Sequence, residues 1–163
     1  MLIWRLTTTH LSEIAFTGEG AAKNGRRWNP RSIAAVYTAS SVSLAAFEYF
    51  VSLAMPRQTP PLVAISAEVP DSLRIETVHD EALPADWRGI PHPSSTQEIG
   101  AQWVREGAAA LLSVPSTVVP QERNYVLNPA HRDFKRIRIG KPQSFSFDPR
   151  MWKQGSLPSR AGL

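Results

Sequence analysis

The chain contains no cysteine. Disulfides, thiol nucleophiles and cysteine metal sites are therefore excluded, and a cytoplasmic setting fits best. No apolar run approaches the ~20 residues of a membrane-spanning helix, so no membrane role is expected. The opening "MLIWRLTTTH" lacks the basic start and long apolar stretch of a signal peptide. There is no internal repeat and no low-complexity segment. The four histidines, at 10, 79, 92 and 131, are too scattered for metal-ligand spacing, so no metal is expected. Lysine is also scarce: arginine accounts for 14 of the 18 basic residues.

What is present reads as one ordinary domain. With 163 residues, 42% hydrophobic and 20% charged, the chain is globular and long enough for a real core. The net charge of +4 favours an anionic partner. Arginine is the usual choice for fixed, planar recognition of phosphates and carboxylates. Composition does not choose among nucleic acid, a nucleotide and an acidic protein surface.

Fourteen prolines divide the chain into short pieces, which suits strands and loops better than a helical bundle. Strands are expected at Leu2–Thr7, Ile33–Ala39, "PLVAISAEVP", "SLRIETV", "AALLSVPS", "NYVLNP", "KRIRIGK" and "QSFSFD". Ser12–Pro30 has three glycines and no clear period, and reads mostly as loop. Ser40–Ala54 reads as a helix capped by its serines and stopped by Pro56. A second helix is expected from a capping box, Ser95 to Glu98, to Gly107. "AHRDF" reads as one helical turn. The sum is an α+β single domain over residues 1–152, with a central, mostly antiparallel sheet of six to eight strands and two main helices. Residues 153–163 read as a loose C-terminal tail.

Two features stand out. "NGRRWNPRS" packs three arginines and a tryptophan into nine residues. Glu48 is the only charged residue between Arg31 and Arg57, in the middle of a helix that is apolar nearly all round and so expected to be buried on most faces. A carboxylate there is costly unless a cation or hydrogen bonds meet it. Either it is a structural ion pair or rim residue, or it is poised at the edge of a pocket. Tyr37, at the end of the preceding strand, and Arg27, in the loop before that, are candidate neighbours.

The chain resembles the RES-domain family, the toxins of RES–Xre type bacterial toxin–antitoxin systems. The resemblance runs from "IWRL" to "FDPRMW" and is carried by "GRRWNP", "AVYTASSVSLAAFEYF", "VPSTVVPQERNYVLNP" and "FSFDPRMW". It places the family arginine on Arg27, with Arg26 second, the tyrosine on Tyr37, the glutamate on Glu48 and the serine on Ser116. Asn124 and Asn128 fall in the segment that closes the family pocket. The resemblance implies a fold similar to bacterial ADP-ribosyltransferases. It implies destruction of NAD, as substrate and not as cofactor, by hydrolysis or phosphorolysis. It also implies an Xre-like antitoxin with a helix-turn-helix, and allows a homodimer within that complex.

The residue types suit that chemistry. Nicotinamide is cationic in NAD and leaves neutral, so no carboxylate pair of the glycosidase kind is required. One anion beside an oxocarbenium-like transition state suffices, a role for Glu48. Arg27 offers a planar fork to a diphosphate. Tyr37 offers a ring face and a hydroxyl, and Ser116 a hydroxyl for ribose or carboxamide. Trp28, Asn128 and Arg26 complete the substrate-binding candidates, although Trp28 alone reads first as a core residue and Asn128-Pro129 as a turn. The rival functions are ADP-ribosylation of a protein, with the same donor and the same Glu48, and a nucleic-acid-binding or RNA-cleaving module. No recognition-helix or RNA-binding motif is evident, so direct nucleic-acid binding is not expected.

Overall fold

A computed structural model describes residues 1–53 and 60–152. The tail from residue 153, and the helix end expected near Ala54 and Pro56, lie outside the described residues. Eight strands form one sheet: β1 (Leu2–Thr8), β2 (Val36–Ala39), β3 (Leu62–Glu68), β4 (Ile75–Thr77), β5 (Leu111–Pro115), β6 (Arg123–Leu127), β7 (Arg138–Ile139) and β8 (Gln143–Phe145). Their order is β4-β5-β6-β2-β1-β3-β7, with β8 also paired to β3. Every pairing is antiparallel except β4 with β5. The helices are α1 (Glu19–Asn24), α2 (Val42–Val51) and α3 (Ser94–Glu106). Among the described residues, no helix is long and apolar enough to cross a membrane.

Strand periodicity distributes the core. In β3, Leu62 and Ala64 pack with Leu6, Leu44, Ala45 and Phe147, while Val63 and Ile65 pack with Ala15 on the other face. Burial on both faces explains why this strand reads as an almost unbroken apolar run. In β5, Leu111 joins Ile3, Val36 and Leu127, whereas Leu112 and Val114 meet Trp28 and Trp103. Thus α2 packs against the β1–β3 half of the sheet and α3 against the β5–β6 half.

The two halves are joined loosely. β1 pairs with β3 over seven residues but meets β2 at one pair, Trp4 opposite Ala39. The gap between β1 and β2 is filled by a side chain: Arg5 Nη1 donates to the Tyr37 carbonyl at 2.9 Å. The sheet therefore opens where the two packing systems meet.

Several expectations need correction. Much of Ser12–Pro30 is turn and loop as expected, but a 3-10 turn over Thr9–Ile14 runs into it and a short helix, α1, lies within it. Gly18, at φ +77°, turns the chain into α1 in a conformation that other residues rarely adopt. The capping box does not form: α3 begins at Ser94, Ser95 Oγ donates to Asp86, and Glu98 pairs with Arg105. α2 spans Val42–Val51, capped by Ser41 Oγ, which accepts from the Leu44 N–H. It is not buried on most faces, since Phe47 and Val51 are 48% and 59% exposed. β7 holds only two residues of "KRIRIGK", because a 3-10 turn over Arg132–Arg136 takes Lys135 and Arg136.

Candidate active site

A cleft lies at the opening between β1 and β2. It encloses about 340 Å³ of empty space, part of it open to solvent, and is walled by Trp4, Arg5, Tyr37, Ala45, Glu48 and Asn124 among others.

Glu48 projects from α2, one turn after the buried Ala45. It is half-buried and has no cation within ion-pair distance among the described residues. Two hydrogen bonds meet it instead. Ser116 Oγ donates to Oε1 at 2.7 Å, and Asn124 Nδ2 donates to the same oxygen at 2.5 Å. Among the described residues no donor reaches Oε2, which is left to the cleft.

Ser116 follows β5 directly and is fully buried. Its oxygen accepts from the N–H groups of Val118 and Val119, at 3.1 and 3.0 Å. With both lone pairs engaged, its single proton must point at Glu48. The hydroxyl thus orients the carboxylate and has nothing left for a ligand. Asn124 stands on β6, opposite Ala39 of β2 and Val114 of β5. Its Oδ1 is buried without a donor.

Arg27 is 8% exposed and does not line the cleft wall. Its Nη1 donates to the carbonyls of Trp87 and Gly89, which ties the loop before α3 to the "GRRWNP" segment. Burial pushes its pKa below the ordinary arginine value, while Glu48 pulls it back up and Arg88 acts with burial. Arg26 is exposed, yet its charge is felt at Arg5, Tyr37 and His92. Arg5 is pushed down to about 10, mainly by burial and then by Arg26, so it remains a cation near neutral pH. The cleft is therefore an electropositive place holding one carboxylate.

Tyr37 presents its ring to the cleft, but its hydroxyl faces away. It donates to Asn29 Oδ1 at 2.8 Å and accepts from the Trp28 N–H at 3.0 Å. Burial raises its pKa far above the usual phenol value, so it stays neutral. Asn29 is itself buried and donates to three carbonyls, those of Ala21, Pro30 and Ile33. Trp28 is a core residue packed among Ala35, Trp103, Leu112 and Val114. Asn128 lies four residues on from Asn124, just past the end of β6, roughly 13 Å at strand rise. There its Oδ1 accepts from the Ala130 N–H and closes a turn.

The structure thus brings Glu48, Ser116 and Asn124 into contact, sets Tyr37 in the wall, holds Arg27 within electrostatic reach, and leaves Trp28 and Asn128 away from the cleft. Sequence reasoning missed Arg5. A signal existed: like Glu48, Arg5 is a lone charge in an apolar element.

Comparison with known proteins agrees in extent and fold. The model of the RES domain matches residues 2–148. The protein named Toxin Res of Yersinia enterocolitica is 37% identical over 152 residues, covering 93% of this chain and 99% of that protein. A Sphingobium protein named Prs ADP-ribosylating toxin is 37% identical over 152 residues, covering 91% and 94%. Among solved structures, a chain of the M. tuberculosis MbcT–MbcA toxin–antitoxin complex superposes with a TM-score of 0.71. It is 19% identical and covers 89% of this chain and 84% of its own length, which is a likeness of fold.

Proposed function

This chain belongs to the RES-domain family, and on that footing we propose that it is the toxin of a toxin–antitoxin pair and acts by breaking NAD between nicotinamide and ribose. The observation that carries this reading is Glu48: a carboxylate with one oxygen locked by Ser116 and Asn124 and no protein donor on the other, in the wall of a cleft that Arg5 also lines. The C–N bond breaks with its electron pair going to the nicotinamide nitrogen, which leaves neutral. Positive charge develops on the ribose, where a fixed anion stabilises it. Water or phosphate then adds at the ribose carbon; the proton lost from water passes to solvent. Arg5, Arg26 and Arg27 supply the positive field that a diphosphate requires, and the Tyr37 ring supplies a flat apolar wall.

A second reading, transfer of ADP-ribose to a protein, is favoured by the name of the Sphingobium relative. It uses the same bond cleavage with a different acceptor. A nucleic-acid role draws less support. Of the basic residues in "KRIRIGK", Arg138 is paired with Glu68, and Arg136 is engaged by Asp133 and Ser72. An Xre-like antitoxin that covers the cleft would hold the activity in check.

The test is incubation of the purified protein with NAD, with and without phosphate, and mass spectrometry of the products. Free ADP-ribose or ADP-ribose phosphate supports cleavage; ADP-ribose attached to protein supports transfer; intact NAD rejects both. Glu48→Gln is the control. Its amide oxygen still accepts from Ser116 and Asn124, so the fold is retained, while turnover falls about 10²–10³-fold, the usual cost of removing one such electrostatic group.

A further inference from the structure

Asn29 is 1% exposed, so it does not touch a ligand. Its side chain nevertheless ties together three parts of the fold. Nδ2 faces the carbonyls of Ala21 in α1 and of Pro30 and Ile33 in the loop before β2, at 3.0, 3.0 and 2.9 Å. Two amide protons serve three acceptors, and exchanging Nδ2 with Oδ1 would set an oxygen against all three. The amide therefore has one orientation. In that orientation Oδ1 accepts from the Tyr37 hydroxyl at 2.8 Å.

The backbone of Asn29 closes the turn that carries Arg27 and Trp28. Its C=O accepts from the Arg26 N–H at 2.8 Å, and its N–H donates back to the Arg26 C=O at 3.4 Å. The Trp28 N–H of the same turn donates to the Tyr37 hydroxyl. Of the side chains joined in this way, that of Tyr37 reaches the cleft wall. A swing of its ring would break both hydroxyl bonds and leave buried partners unpaired, which is costly. The bonds that hold Glu48 come from elsewhere. Ser116, Asn124 and the N–H groups of Val118 and Val119 make that set, and it shares no residue with the set around Asn29.

We infer that Asn29 is a positioning residue for substrate binding: its amide locks the Tyr37 ring and the Arg27 turn into one rigid wall, independently of the bonds that orient Glu48. The inference rests on the reading of the cleft as a site for NAD cleavage. Its consequence is a division of labour between two hydrogen-bonded sets. Loosening the Asn29 set weakens ground state and transition state alike, which raises KM and spares kcat. Loosening the Glu48 set falls on the chemical step and lowers kcat.

The test is to measure kcat and KM for NAD in wild type, Asn29→Ala, Tyr37→Phe and Ser116→Ala, with melting curves to identify the variants that fold. Asn29→Ala should raise KM about 10-fold, the scale of leaving a buried partner unpaired, with kcat within about 3-fold of wild type. Tyr37→Phe keeps the ring and removes the shared bond alone, so it should move KM in the same direction; it decides where Asn29→Ala does not fold. Adding Tyr37→Phe to Asn29→Ala should raise KM far less than the product of the single effects, because both break one bond. The effects of Ser116→Ala and Tyr37→Phe on kcat/KM should instead multiply. An unchanged KM in the folded variants, or a kcat that falls as far as KM rises, overturns the inference. Wild-type protein that leaves NAD intact would instead reject the function on which it rests.

Discussion

One oxygen of Glu48 carries two donors, and that asymmetry decides what the residue can do. A carboxylate free to rotate presents either oxygen to a ligand; here rotation would break bonds to Ser116 and Asn124. The arginines matter through their field more than through contact, and His92 reports that field. It lies exposed in the loop before α3, and its pKa is lowered by partial burial and then by Arg27 and Arg26. Its folded pKa is below the ordinary value of about 6.5, so the native state holds this proton less well than the unfolded chain does. The contribution of neutral His92 to stability is present above that value and is lost as pH falls through the folded pKa. A bound diphosphate offsets Arg26 and Arg27, so it should raise the His92 pKa. Binding then takes up a proton and strengthens as pH falls through the window between the free and bound values. An NMR titration of the His92 ring with and without ADP-ribose checks this; a pKa unmoved by the ligand would place the phosphates elsewhere. Among these residues, Glu48 was legible in the sequence because a single charge in an apolar helix is a local signal. Arg5 carried the same signal and was passed over. The contact of Asn124 with Glu48 was not legible, because it depends on the register of β6 with β2 and β5, which brings together residues 39, 114 and 124.

The elements hold these groups through close approaches. Gly100 in α3 lies against the backbone of the arginine-rich loop: a Cβ there would sit 1.7 Å from the Trp28 carbonyl oxygen. Gly100→Ala must therefore push α3 off residues 26–29, which carry Arg27. We expect a loss of about 3 kcal/mol, at the upper end for overpacking, and a fall in melting temperature of roughly 6–12 °C for a chain of this size. Gly20 is the matched control, because nothing lies within 4 Å of its added Cβ in α1. Gly20→Ala should be neutral or mildly stabilising. Thermal denaturation of the pair is the measurement, and equal melting temperatures would refute the close contact. The strands could be read from their period, and α2 from its serine cap, because those signals are local. α1 could not, since Gly18 and Gly25 on either side disguise a six-residue helix as loop. The false capping box shows the limit of spacing alone: Ser95 and Glu98 had the right separation, but Asp86 and Arg105 outcompeted the backbone for them.

At the scale of the molecule, the loose β1–β2 seam and the surplus of arginine act together. A sheet closed by regular pairing would bury the strand edges and leave no room for a ligand; here a guanidinium occupies the seam and keeps it electropositive. The +4 charge is consequently not spread evenly in its effect, since Arg5, Arg26 and Arg27 all act on the region around one cleft. A ligand that binds the folded state alone stabilises it by mass action, by about 2.7 kcal/mol when free ligand is 100 times its Kd. For the Glu48→Gln variant, which keeps the cleft and slows turnover, saturating NAD should raise the melting temperature by roughly 5–10 °C. Nicotinamide alone, with no phosphates for the arginines, should raise it little. The shift should shrink with added salt, but moderately, because partly buried charges are screened less than exposed ones. A single-stranded oligonucleotide gives the opposing outcome. If it stabilises the variant more than NAD does, and that effect collapses steeply between low and moderate salt, the arginines serve a nucleic-acid backbone and the cleft is not their target.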